Sequence, residues 1–230
     1  MPEISSSHEV SRPTRSVHNG DAIAWLRERA TLPESSVVTS LPDVSEIPSL
    51  TLDAWMNWFV DAALLVMNAV PANGISVFFQ SDIRREGLWV DKGALVARAA
   101  ERAGVRLLSH KIVCRKPPGT VTYGRASYSH LLAYSREIRP ALGRSTADVL
   151  PDAGFKPGTK AMGAKACLDA CRFIRAETSC RTIVDPFCGW GTVLAVANAI
   201  GFDAVGVDLS TRMCRSARKL TVDLRALDGK

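Results

Sequence analysis

The stretch "IVDPFCGWGTVLAVANAIGFDAVGVDLS", Ile183 to Ser210, decides the fold. A short β-branched run ends in Asp185. Gly189 and Gly191 follow within a tight turn, then an apolar segment of helical length closed by Gly201, then a second short apolar run ending in Asp208. The reading is strand, glycine turn, helix, strand, with an acid at the end of each strand. Outward from it the alternation continues. "SVVTSL" (36–41), "GISVFFQS" (74–81), "VRLLSHKIVCR" (105–115) and "HLLAYSR" (130–136) read as strands. The stretches 51–70 (N-capped by Thr51), 90–104 (stopped at Gly104), 161–177 and a closing basic segment 211–227 read as helices. Strands alternating with helices predict an α/β fold: a mainly parallel twisted sheet with helices on both faces, Rossmann-like. Residues 1–16 are polar and aperiodic and are read as a disordered tail, leaving a single domain over 17–230.

The turn after Asp185 lets backbone approach a ligand, and the helix behind it offers free N–H groups. Asp208, about twenty residues on, is placed to accept hydrogen bonds from both hydroxyls of a ribose. The spacing is G-W-G rather than the GxGxxG of a dinucleotide site, and an acid precedes it. An acid there suits a cofactor carrying a cationic amine better than one carrying a pyrophosphate. S-adenosylmethionine is such a cofactor.

"DPFCGWGT" (185–192) resembles the DPFxGxGT signature of S-adenosylmethionine-dependent methyltransferases acting on nucleic-acid bases. "NGDAIAWLRERATLPESSVVTSLPD" (19–43) resembles the opening of the permuted DNA amino-methyltransferases, in which the catalytic motif precedes the cofactor motif. The resemblance runs over about residues 17–222 and implies a catalytic half at 17–150 and a cofactor half at 151–230. It implies that Asp185 faces the methionine end of the cofactor. Phe187, Cys188, Gly189 and Gly191 would cradle it, with Thr192 opening the helix, Asp208 on the ribose, and Asn19 and Asp21 as an early contact. Lys160 and Met162 stand where the family has Q-K-P, which this chain lacks.

The family's catalytic motif is (D/N/S)PP(Y/F/W), and here it reads Ser40-Leu41-Pro42-Asp43. By the resemblance, Ser40 and the Leu41 carbonyl accept hydrogen bonds from an exocyclic amino group and aim its lone pair at the methyl. Asp43 replaces the aromatic that stacks on the extruded base. It is read either as a base for the surplus proton, with Glu46 beside it, or as a cap on the following turn. Stacking could come instead from Tyr123, Tyr128, Trp89 or Trp190.

A formal net charge of +6 permits a polyanionic partner. The segments available for target recognition, 115–127 and 143–160, are short for reading a DNA groove. The expectation is therefore a base in RNA, including tRNA, methylated on nitrogen, with Arg115, Lys116, Tyr123 and Arg125 toward the substrate. DNA amino-methylation is the alternative, followed by a small-molecule methyltransferase or an inactive cofactor-binding protein. The six cysteines lack the paired spacing of a zinc site, so no metal is expected, and they are read as reduced, mostly buried thiols. No apolar run reaches about 18 residues without a charge, and no secretory pattern opens the chain, so a cytoplasmic protein without a membrane span is expected.

Overall fold

Consecutive residues in the central strands face opposite sides of one sheet, and this alternation builds two cores. Val38, Val77, Phe79 and Ile183 belong to one, and Val37, Phe78 and Val184 to the other. The computed structural model describes residues 12–141 and 146–228. In chain order it runs β1 (Arg15–Asn19), α1 (Ala22–Glu28), β2 (Ser35–Thr39), a 3₁₀ turn (Val44–Glu46), α2 (Leu52–Ala69) and β3 (Ser76–Gln80). Next come β4 (Ile83–Arg85), β5 (Leu88–Val90), α3 (Lys92–Ala103), β6 (Arg106–Cys114), β7 (Tyr128–Ser135) and β8 (Val149–Leu150). The chain closes with α4 (Ala164–Glu177), β9 (Thr182–Asp185), α5 (Thr192–Ala199), β10 (Asp203–Asp208), α6 (Thr211–Lys219) and α7 (Leu224–Asp228).

The main sheet has the order β1-β10-β9-β2-β3-β7-β6-β8, with β7 antiparallel to both its neighbours and the other pairings parallel. Side chains of α1, α2 and α3 fill one core, and those of α4, α5, α6 and α7 the other. This is the expected fold class. Thr51 caps α2 by accepting from the Ala54 N–H at 3.3 Å, and Gly104 ends α3 at φ 66. All six cysteines are free and buried. Among the described residues no helix is long and apolar enough to cross a membrane.

Two expectations need correction, and one element is new. Of the expected tail, residues 1–11 lie outside the described residues, and Arg15 and Ser16 belong to β1. Thr14 already donates to Asp203, from backbone and hydroxyl, at 2.7 Å each. The closing helix breaks after Lys219, because Asp223 accepts from the Arg225 N–H at 2.9 Å and starts α7 anew. The β4–β5 hairpin was not expected, since its turn sets Glu86 at φ 52, a conformation that glutamate does not advertise.

Neighbouring strands β9 and β2 lead away in opposite directions: β9 through α5 to β10, and β2 through α2 to β3. The crevice beyond their carboxyl ends is therefore a topological switch point, the usual ligand site of such sheets.

Candidate active site

A cavity of about 590 Å³ opens at that switch point. Asp21, Ser40, Trp58, Asp185, Phe187, Cys188, Gly189, Thr192 and Asp208 line it, together with Leu209 and Met213. Asp185 is 3% exposed and accepts from the Thr39 hydroxyl at 2.7 Å and the Phe187 N–H at 3.2 Å. Burial pushes its carboxyl up to about 7, against those two hydrogen bonds, and nearby Asp208 adds to the rise. An acid held in that state gains most from a cation brought against it. Asp208 accepts from the Gly189 N–H at 3.0 Å and the Ser210 N–H at 2.7 Å, which ties the glycine turn to the end of β10. A carboxylate has about four acceptor positions, so capacity remains for a diol. Asp21 caps α1 through the Ala24 N–H at 2.7 Å while lining the cavity.

Two expected cofactor residues act otherwise. The Asn19 amide donates to the Asp208 and Leu209 carbonyls at 3.0 and 2.9 Å and accepts from Thr211, so it clamps the loop after β10 and does not line the cavity. Gly191, at φ 79, faces α6: a Cβ there would lie 2.6 Å from Ala217 Cα. It lets a helix approach rather than a ligand. Thr192 is the reverse case. Its hydroxyl is buried, has no partner among the described residues, and belongs to the cavity wall. An orphaned hydroxyl and a buried acid in one wall fit a ligand with a cationic, hydrogen-bonding end. Trp58, edge-on to Phe187 at 6.4 Å, is a lining residue that sequence reasoning did not single out for the site.

Ser40 and Leu41 also belong to a second, narrower pocket of about 60 Å³, beside the first. The segment Ser40–Asp43 between them is pinned from several sides. Trp55 Nε1 donates to the Pro42 carbonyl at 3.2 Å, and the Asp43 N–H donates to Glu46 Oε2 at 2.9 Å. Lys160 pairs with Glu46 at 3.3 Å. Asp43, 7% exposed, meets Arg125 at 2.9 Å and Lys92 at 3.4 Å. Of the expected alternatives, the turn cap matches the position of Asp43, which is the N-cap of the 3₁₀ turn, and its Oδ2 in addition anchors two cations. Burial pushes the Lys92 ammonium below the usual lysine range, and Asp43 opposes that shift.

Lys92 was missed, although a signal existed. It heads the buried stripe Lys92, Leu95, Val96, Ala99, Ala100 of α3, where a lysine is out of place. Of the expected substrate residues, Arg115 and Arg125 line the narrow pocket, whereas Lys116 is exposed and Tyr123 is 90% exposed on the loop outside it. That loop is joined to the hairpin: the Arg84 N–H donates to the Gly124 carbonyl at 2.9 Å. Buried Asp82 accepts from Trp89, Tyr128, His130 and the Lys92 N–H at 2.9–3.3 Å, which locks hairpin, β7 and α3 together. Asp82, Asp91 and His130 lie within 4.8 Å of one another, but Asp82 is taken up by these donors. Tyr128 and Trp89 thus serve that lock, and Trp190 lines the large cavity against Gly158, so none of them stacks in the narrow pocket.

No known family profile and no curated protein matches the sequence. Solved structures do match. The cytosine-N4-specific PvuII DNA methyltransferase superposes with a TM-score of 0.67 at 15% identity, over 95% of this chain and 92% of its own. The chain has a methyltransferase fold. TTHA0409 of Thermus thermophilus, described provisionally as a DNA modification methylase and solved with S-adenosyl-L-methionine, gives 0.63 at 20% identity over 89% and 92%. The M1.HpyAVI–SAM complex gives 0.59 at 13% over 91% and 100%. The methyltransferase fold thus extends over nearly the full length of each.

Proposed function

We propose that this protein is an S-adenosylmethionine-dependent methyltransferase acting on an exocyclic amino group of a base in DNA. The observation that carries the reading is the position of Ser40 and Leu41. They form the wall shared by a cofactor-sized cavity and a narrow polar pocket, at the switch point of the sheet. Asp185 would hold the cationic end of the cofactor, Asp208 and Asp21 the ribose side, and Thr192 a polar group at the head of α5. The cofactor supplies an electrophilic methyl group. The Ser40 hydroxyl and the Leu41 carbonyl have no protein partner among the described residues, so both can accept from the target amino group and orient its lone pair across the wall.

The RNA preference expected from the short recognition segments gives way to DNA, the alternative reading, because the matching solved structures include a named DNA methyltransferase that aligns over 95% of this chain. Exposed Arg84, Arg85 and Lys116, on the joined hairpin and loop, supply sequence-independent phosphate contacts. Incubation with methyl-labelled S-adenosylmethionine and separate pools of DNA, RNA and metabolites tests the reading. Label in DNA, recovered as a methylated amino nucleoside, is expected. Label in RNA or metabolites alone would overturn it.

A further inference from the structure

The narrow pocket has an unusual balance of hydrogen-bonding groups. Its carboxylates are already paired with donors of the protein: Asp43, through Oδ2, with Lys92 and Arg125, and Glu46 with Lys160 and the Asp43 N–H. What remains to meet a ligand, apart from the acceptors Ser40 and Leu41, is rich in donors. Lys92 stands at the inner wall with a side chain 4% exposed. Gln80, at the end of β3, is 1% exposed, and its amide nitrogen has no partner among the described residues. A buried, unpaired amide beside a buried ammonium is costly unless a ligand completes it. Phe79, the aromatic in this wall, is packed into the core at 6% exposure. The pocket is therefore equipped to hold a ring by its edge rather than by its face.

Resting on the reading of the protein as a DNA amino-methyltransferase, we infer that Lys92, positioned by Asp43, and Gln80 are its specificity-determining residues. They hydrogen-bond the edge of the target base and select cytosine over adenine. Ser40 and Leu41 offer acceptors, and Lys92 and Gln80 offer donors. A ligand complementary to this wall presents an amino group followed along one edge by two acceptors. Cytosine does so, with its 4-amino group, ring N3 and 2-oxo oxygen in sequence. Adenine presents its amino group beside N1 and then a C–H, so one donor of the pair would be left buried and unmatched. A site built to hydrogen-bond a group rejects the analogue that lacks it, because its own polar groups then go unpaired. Asp43 fits this arrangement. It opposes the effect of burial on the Lys92 ammonium and holds it by an ion pair at 3.4 Å.

The test is nucleoside mass spectrometry of duplex DNA treated with the wild-type protein and S-adenosylmethionine, together with steady-state kinetics of two variants. N4-methyldeoxycytidine is the expected product. Lys92→Met should lower kcat/KM about 10- to 100-fold, the loss of one charge-assisted hydrogen bond. Its affinity for S-adenosylhomocysteine should stay within about twofold, since Lys92 is outside the cofactor cavity. Gln80→Glu keeps the shape, turns a donor into an acceptor, and should raise KM for DNA more than it lowers kcat. N6-methyladenine as the product, or full activity in both variants, would overturn the inference and leave the DNA reading standing. Absence of methyl transfer to any DNA would instead overturn that reading, and the inference with it.

Discussion

Asp185 should make cofactor binding depend on pH in a defined direction. Its carboxyl is held at about 7 in the folded chain, against an ordinary 3.8, chiefly by burial. A gap of about three units is about 4 kcal/mol of preference for the neutral form. The folded state holds the proton that the unfolded state gives up. The cost to stability is therefore absent below about pH 4, grows as pH rises, and levels off above about pH 7. A cation bound beside Asp185 needs the ionised form, which is about one tenth of the molecules at pH 6 and about nine tenths at pH 8. Affinity for S-adenosylmethionine should thus rise about ninefold between those values, and binding at pH 7 should release about half a proton. Asp185→Asn keeps an acceptor for Thr39 or Phe187 and removes the titration. It should raise the thermal midpoint of the free protein at pH 8 but not at pH 4, and lose its share of the pH dependence. Calorimetry at pH 6, 7 and 8, in buffers of different ionisation enthalpy, measures both quantities. The difference between wild type and variant removes the cofactor's own titration. Equal pH profiles in the two proteins would refute the reasoning.

Asp208→Ala strands the Gly189 and Ser210 N–H groups as well as losing the ribose contact, and should cost at least about tenfold in affinity for S-adenosylhomocysteine; calorimetry reads it, and an unchanged constant removes Asp208 from the site. Gly191→Ala should cost more than about 1 kcal/mol of stability in denaturant titration, because both its φ of 79 and the 2.6 Å approach to Ala217 exclude a side chain. Binding to duplex DNA should weaken linearly in the logarithm of salt, and Arg85→Glu with Lys116→Glu should flatten the slope by about two if each meets one phosphate; a slope unchanged in the double variant would place the DNA elsewhere.

The fold was legible because its strands alternate faces and its glycine turn sits between two strand-ending acids, both strong local signals. Thr51 and Gly104 marked helix ends through capping chemistry that acts within a few residues. What escaped depends on distant partners. "RSVHN" is a strand because β10, which begins 188 residues later, hydrogen-bonds it, and nothing in its own pattern announces that. Asp185 and Asp208 were legible as strand ends. The roles of Asn19 and Gly191 were not, since a clamp on a loop and a helix approach are visible once α6 is in place. Asp43 was legible as a departure from the motif that the segment resembles. Its meaning lay in Lys92 and Arg125, which are 49 and 82 positions away.

Because β1 pairs with β10, the wall carrying Asp208 is braced by residues from opposite ends of the sequence, from Thr14–Asp203 at one end of the pair to Asn19–Asp208 at the other. A contact of such separation closes a long loop, and its entropic cost falls before the pairing repays it. During synthesis β1 must therefore wait, unpaired, until nearly all of the sheet has been made. The cofactor crevice should be among the last parts of the molecule to become rigid. Any fragment ending before β10 would carry the Ser40 segment without Asp208, the acid proposed for the ribose side. On the proposed reading, the methyl-donor site is therefore completed after the Ser40 wall, in one late step.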